Sequence, residues 1–75
     1  MKRLTAAKEI ANEISDYLLK SGWIADTHLF FQRDPLTNTT HNLMTAFQIQ
    51  FERDLQSQKN LENTVFFVKA QIVLG

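Results

Sequence analysis

The residues best suited to chemistry are Asp26 and His28, which lie two positions apart. On a β-strand, residues at this spacing project from the same face of the sheet. The carboxylate could then orient the imidazole as a general base, or the two could begin a metal site. Such pairs are common by chance, and an enzyme would also need a third group such as Glu52 brought to them in an oligomeric cleft. His41 adjoins a polar turn, where an exposed surface residue is the simpler interpretation.

The sequence lacks the residues that zinc sites, phosphate-binding loops and nucleophilic catalysis require. The chain has no Cys, two His and two Gly. Two histidines do not make a structural zinc site without help from carboxylates, and a phosphate-cradling loop needs more glycine. No Ser or Thr stands in a nucleophile-elbow context. We therefore predict no catalytic, metal or cofactor-binding residue, and a protein that is not an enzyme.

The length predicts one small domain spanning residues 1–75. A chain of this size buries only about 60% of the surface that it exposes when unfolded, so its stability is marginal. Small domains are usually helped by disulfides, metals or oligomerisation. With no Cys, oligomerisation is the expected aid.

The charges are balanced, with eight basic and eight acidic residues. A net charge of zero gives no long-range attraction to nucleic acid or to anionic membranes. Met1-Lys2-Arg3 resembles the start of a signal peptide, but the acidic residues that follow leave no apolar core for one. No run approaches the roughly 20 apolar residues of a membrane span. These features predict a cytoplasmic protein without membrane contact.

Residues 4–21 predict an amphipathic helix. Its apolar residues recur three and four positions apart and share one face. Ser21 and Gly22 end it, because glycine suits the left-handed position after a helix. The apolar face consists of Leu4, Ala7, Ile10, Ala11, Ile14, Tyr17 and Leu18.

Three later segments predict strands, at 23–33, 43–53 and 64–74. Asp34 to Asn38 predicts a turn between the first two, because Asp favours its first position and Pro its second. Residues 39–42 continue as polar loop or as the start of the next strand, and residues 56–63 predict a polar connector. The last strand is rich in β-branched and aromatic residues.

The segment 43–53 allows a second interpretation. Phe47, Ile49 and Phe51 alternate as in a half-buried strand, whereas Leu43, Phe47 and Phe51 also lie four apart as on one helical face. Ile49 favours the strand, because a helix would leave it on the polar side. The strand gives the order α-β-β-β, and the helix would give α-β-α-β.

The predicted fold is therefore α+β, with one N-terminal amphipathic helix packed on a three-stranded antiparallel sheet. Alternation places Ala25, Leu29 and Phe31 of the first strand toward the helix. The opposite sheet face carries aromatic side chains that one helix cannot cover. We predict that this second face is an interface, formed by Phe30, Gln48, Gln50, Val65, Phe67, Lys69 and Gln71.

The predicted function is that of a small binding or assembly module acting as a homo-oligomer. A dimer is favoured because closed two-fold dimers are the commonest soluble oligomers. Contact would run through the second sheet face or the C-terminal edge strand, and a foreign protein partner is the other possibility.

The alternative is a nucleic-acid-binding accessory protein whose Phe30 and Phe67 stack on bases. Only Lys69, Arg33 and Arg53 could supply the cationic track. The basic residues at the helix start, Lys8 among them, are expected to lie away from this face. Nucleic acid is therefore the less favoured partner.

Overall fold

The computed structural model describes residues 2–26, 30–57 and 63–74, including side chains except those of residues 2–5, 63–65 and 74. It shows an α+β arrangement: a helix, a three-stranded antiparallel sheet and two more helices. The prediction of an α+β fold with a three-stranded antiparallel sheet is thus confirmed, but the last two predicted strands are helices. In chain order the elements are α1 (Lys2–Lys20), β1 (Ile24–Ala25), β2 (Phe31–Arg33), β3 (Thr40–Asn42), α2 (Leu43–Gln56) and α3 (Asn63–Leu74).

Helix α1 matches the predicted helix to within two residues at each end. It ends before Gly22, which has a φ of +97°, a conformation that glycine adopts without strain. Its predicted apolar face supplies nearly half of the buried core, and α2, α3 and Trp23 supply the rest. The buried apolar residues are Ile10, Ala11, Ile14, Leu18, Trp23, Leu43, Ala46, Phe47 and Ala70.

The sheet is a meander with the strand order β1-β2-β3. The predicted strand 23–33 is wrong in extent, because it contains two short antiparallel strands that pair Ala25 with Gln32. Its faces are also inverted: Gln32 is buried at 1% exposure, whereas Phe31 is 42% exposed. Because strand side chains alternate, an error of one residue in the register exchanges the two faces.

The predicted turn after β2 is confirmed. The Asp34 carbonyl accepts a hydrogen bond from the Asn38 N–H at 2.8 Å, and its Oδ1 accepts one from the Leu36 N–H at 2.9 Å. Asn38 has a φ of +57°, which asparagine tolerates better than most residues. This turn carries the chain back into β3.

The predicted strand at 43–53 is wrong, and the helical alternative is correct. Asn42 caps α2, because its Oδ1 accepts a hydrogen bond from the Thr45 N–H at 2.9 Å. Phe47 is completely buried, and Ile49 is half-buried beside the core. Ile49 therefore has apolar neighbours in the helix. The prediction of a strand rested on the opposite expectation, that a helix would leave Ile49 on its polar side.

The predicted C-terminal strand is also wrong, because Asn63–Leu74 is helix α3. Phe66 and Phe67 lie with their ring centroids 5.1 and 5.3 Å from that of Phe47. Ala70 and Val73 continue the same side of the helix toward the core. This helical spacing lets α3 cover α1 and α2, so tertiary packing outweighs the local preference for a strand.

None of the described helices is both long enough and apolar enough to cross a lipid bilayer.

Candidate interaction site

The outer face of α3 combines apolar side chains with high exposure. Val68 and Ile72 lie one turn apart and are 49% and 78% exposed. Lys69 and Gln71 flank them and are also exposed. We refer to these four residues as the α3 outer face.

A helix normally shows solvent a mainly polar face, whereas half of the residues on the α3 outer face are apolar. Val68 and Ile72 take the positions opposite Ala70, which is completely buried. The whole helix contains a single charged residue, Lys69. A helix that is apolar on all sides is ordinarily buried on all sides. The α3 outer face is therefore an exposed part of the described surface whose composition is more typical of a buried helix.

The predicted interface residues do not share a sheet face. Gln48 and Gln50 lie on α2, whereas Val65, Phe67, Lys69 and Gln71 lie on α3. Phe30 precedes β2 and is 46% exposed. Lys69 and Gln71 alone of these seven belong to the α3 outer face. The Val65 side chain is not among those that the structure describes.

Two of those residues have structural contacts instead. Gln50 accepts a hydrogen bond from the Trp23 indole N–H at 2.9 Å and donates one to Asp54 Oδ1 at 2.9 Å. Phe67 stacks on Phe51, with ring centroids 4.8 Å apart and an angle of 11° between the planes. The predicted strand face would have left the Gln50 and Phe67 side chains available to a partner molecule, whereas both make contacts within the chain.

The pair Asp26 and His28, which was considered for chemistry and not predicted to perform it, lies partly outside the described residues. His28 is one of those not described, and Asp26 is exposed, its N–H bonded to the Phe31 carbonyl at 3.1 Å. Glu52 is on the exposed side of α2, where it accepts a hydrogen bond from Gln48 at 3.4 Å. Within the described ranges, no group of three His, Cys, Asp or Glu side chains could hold a metal ion.

A polar network fixes α2 against α1 and the sheet. The Tyr17 hydroxyl donates a hydrogen bond to Asp54 Oδ2, and Asp54 is 9% exposed. Through Gln50 the same network reaches Trp23. Buried polar groups that are hydrogen-bonded to one another hold their elements in one arrangement.

An ion pair fixes the turn after β2 to α2. The Arg53 guanidinium donates hydrogen bonds to both carboxylate oxygens of Asp34, at 2.9 and 2.7 Å. The hydrogen bond from Arg53 is the main reason that the pKa of Asp34 falls from 3.8 to about 2, and burial opposes the shift. The same hydrogen bond raises the pKa of Arg53. The guanidinium carbon also lies 5.9 Å from the centroid of the Trp23 ring.

The sequence held one signal for the α3 outer face that the strand interpretation hid. The stretch from Val65 to Leu74 has only two polar residues, Lys69 and Gln71. If this stretch is a strand, burial of one face removes most of its apolar side chains from water. If it is a helix, apolar side chains lie on nearly every side and nearly every side must be buried. The predicted interface already included Lys69 and Gln71 of this segment, whereas Val68 and Ile72 were not among its residues.

Comparisons of this chain with protein families, with curated proteins and with solved structures give no match. The candidate site therefore rests on the geometry and chemistry of the chain itself.

Proposed function

We propose that this protein is a non-enzymatic assembly module that forms a homodimer through the α3 outer face. The observation that carries the proposal is the exposure of Ile72 and Val68, 78% and 49%, on the α3 outer face. Contiguous apolar side chains rimmed by polar ones mark interaction surfaces. Lys69 and Gln71 would form that polar rim.

A second copy is the partner that the chain's own properties favour. The formal net charge of zero means that two copies do not repel each other at long range. In a two-fold dimer the same patch meets itself, so Val68 and Ile72 would contribute from both chains. Each Val or Ile that passes from full exposure to full burial contributes about 1.5–3 kcal/mol. Because Val68 and Ile72 are already partly buried in the monomer, at 49% and 78% exposure, the four side chains of a dimer contribute less than four times this amount.

The proposal places the protein in the cytoplasm, where the absence of Cys is no handicap. Its role there would be to present a paired surface. A different protein bound to the same face is the competing outcome, and the experiment below separates the two.

The experiment measures solution mass over a range of concentrations by sedimentation equilibrium. The wild type is expected to approach twice its chain mass of 8.7 kDa. Ile72→Glu should remain at the chain mass with unchanged helix content, because a carboxylate cannot enter an apolar contact. Leu36→Glu is the matched control, since Leu36 is equally exposed at 76% but lies in the turn after β2.

Two results would overturn the proposal. One is a wild type that stays monomeric up to millimolar concentration, which would leave the face for a foreign partner. The other is an Ile72→Glu variant with the same mass as the wild type. If Leu36→Glu also falls to the mass of a single chain, then an added charge at any exposed position dissociates the dimer, and the α3 outer face is not specifically involved.

A second candidate function is favoured by one observation on the sheet. Phe31 and Arg33 are both exposed and lie on the same side of β2. An aromatic ring beside a cation is the combination that binds single-stranded nucleic acid. The platform would be β2 rather than the Phe30 and Phe67 pair predicted from the sequence. Binding of a labelled oligonucleotide that falls with salt and with Phe31→Ala, but not with Leu36→Ala, would support it. Binding that Phe31→Ala leaves unchanged would reject it.

A further inference from the structure

A cavity lies between α1 and the residue that precedes β2. It has a volume of about 150 Å³ and is lined by Lys8, Ala11, Asn12, Ser15 and Phe30. The four α1 residues lie at spacings of three, four and seven from Lys8, so they form one stripe along the helix. The cavity is separate from the α3 outer face, and it has no part in the proposed function.

Each of the three polar groups of this stripe can donate a hydrogen bond. Lys8 supplies an ammonium, Asn12 an amide and Ser15 a hydroxyl, and none of the described residues that line the cavity is acidic. Among the described residues the one ion pair joins Arg53 to Asp34, so Lys8 has no carboxylate partner there. The site therefore has the charge and the donors to receive an anion.

Buried Gln32 controls the Ser15 hydroxyl. Its Nε2 donates a hydrogen bond to Ser15 Oγ at 2.6 Å, and its side chain lies beneath the sheet at 1% exposure. Because Ser15 Oγ accepts this bond, the hydroxyl hydrogen is left to donate elsewhere.

The same glutamine carries a cost to stability. Gln32 Oε1 is buried and has no hydrogen-bond partner within the described part of the chain. A leucine at this position would fill similar space without that unsatisfied oxygen. A positioning role accounts for the amide in spite of this cost, because the amide orients the Ser15 hydroxyl at the edge of the cavity.

Phe30 gives the cavity an apolar wall. Phe30 is 46% exposed, and Ala11 adds a small apolar surface on α1. A volume of this size holds about ten water-sized positions, counting roughly 15 Å³ for each. The wall and the volume together suit a flat apolar group of one ring.

We propose that this cavity binds a small aromatic carboxylate. The carboxylate accepts hydrogen bonds from the Lys8 ammonium, the Asn12 amide and the Ser15 hydroxyl. The ring lies against Phe30, where aromatic contact adds to the burial of apolar surface. Lys8 was predicted to lie away from the face that carries Phe30, and the structure brings both residues to one cavity.

The test is a titration of the full chain with benzoate, followed by backbone amide NMR. We expect saturable shifts centred on residues 8–15 and 30. Acetate lacks the ring, benzyl alcohol lacks the charge and inorganic phosphate lacks both the ring and the carboxylate, so each should bind at least fivefold more weakly than benzoate. Added salt should weaken benzoate binding, because Lys8 and the ligand are opposite charges.

Two variants of the same helix supply the matched comparison. Lys8→Gln should weaken benzoate at least fivefold, whereas Lys20→Gln, outside the cavity, should leave the affinity unchanged. Ser15→Ala should also weaken it while the helix content stays the same. The proposal is overturned if benzoate shows no saturation, if Lys8→Gln binds it as the wild type does, or if phosphate binds equally well.

Discussion

The carboxylate of Asp34 and the guanidinium of Arg53 face each other in a two-pronged hydrogen-bonded pair, with N–O distances of 2.9 and 2.7 Å. Asp34 also closes its own turn by accepting the Leu36 N–H. One side chain therefore holds the turn after β2 and attaches it to α2. The pair is asymmetric in burial, because the Asp34 side chain is 1% exposed and that of Arg53 is 29% exposed.

Removing the arginine should be costly. Arg53→Gln is expected to lower the free energy of unfolding by about 3 kcal/mol, because it leaves a buried carboxylate without its cation. Urea denaturation followed by the fluorescence of Trp23, the one tryptophan of the chain, would measure it. Arg33→Gln is the matched control on the exposed side of β2 and should change stability by less than about 0.5 kcal/mol. Equal effects of both substitutions would contradict the importance of the pair.

The same pair should make the fold sensitive to acid. The pKa of Asp34 is lowered from 3.8 to about 2. The stabilisation is complete above the unfolded-state pKa and is lost as pH falls from 3.8 toward 2. The loss is expected to be about 2 kcal/mol, since one pKa unit corresponds to about 1.4 kcal/mol.

Comparison with Arg53→Gln isolates this contribution from the other carboxylates. Denaturation curves between neutral pH and pH near 2 should be steeper in pH for the wild type than for the variant. Parallel pH profiles for the two proteins would show that the ion pair is not the source of the acid sensitivity.

The bond between Gln32 and Ser15 predicts a non-additive pair of substitutions. Ser15→Ala alone leaves a buried amide with neither of its polar atoms paired, which costs about 1–3 kcal/mol. Once Gln32→Leu has replaced that amide, Ser15→Ala should cost much less. A double-mutant cycle should give a coupling energy of about 1 kcal/mol, and it cancels the helix-propensity change at residue 15. A coupling energy near zero would mean that the two groups do not interact in solution.

Asn42 should set where α2 begins. Asn42→Ala is expected to cost about 1 kcal/mol, because the Thr45 N–H loses its side-chain acceptor. Asn42→Asp keeps an acceptor in the same position and should cost much less. Thermal denaturation would rank the wild type and the two variants by Tm. If Asn42→Ala has the same Tm as the wild type, Asn42 does not stabilise α2 as an N-cap.

The sequence predicted the parts of the fold whose signals are local. Helix α1 has regular apolar spacing and ends at Gly22, and the turn from Asp34 to Asn38 has the residues that its geometry requires. The α+β class was also predictable. None of these depends on which distant segment lies opposite.

The errors fell where local preference and long-range packing disagree. Phe47 fits a strand by alternation and a helix by its spacing from Phe51, and its contacts with Phe66 and Phe67 belong to another segment of the chain. The β-branched and aromatic residues of α3 favour a strand by themselves, yet as a helix they fill the groove beside Phe47. Because both segments were placed in the sheet, the predicted interface combined residues from three unrelated surfaces. The cavity beside Lys8 could not be predicted either, because the register of β2 determines where Phe30 lies relative to α1.

The meander also shapes how quickly this chain reaches its native state. Each strand pairs with its neighbour along the chain, as in the match of Gln32 with Ala25 on one side and with His41 on the other. Short loops close with little loss of entropy, and topologies rich in such local contacts fold fast for their size. The slower requirement is the meeting of α1 with α3 across the aromatic cluster around Phe47. We therefore expect the hairpins to form early and the burial of Phe47 to accompany the rate-limiting barrier.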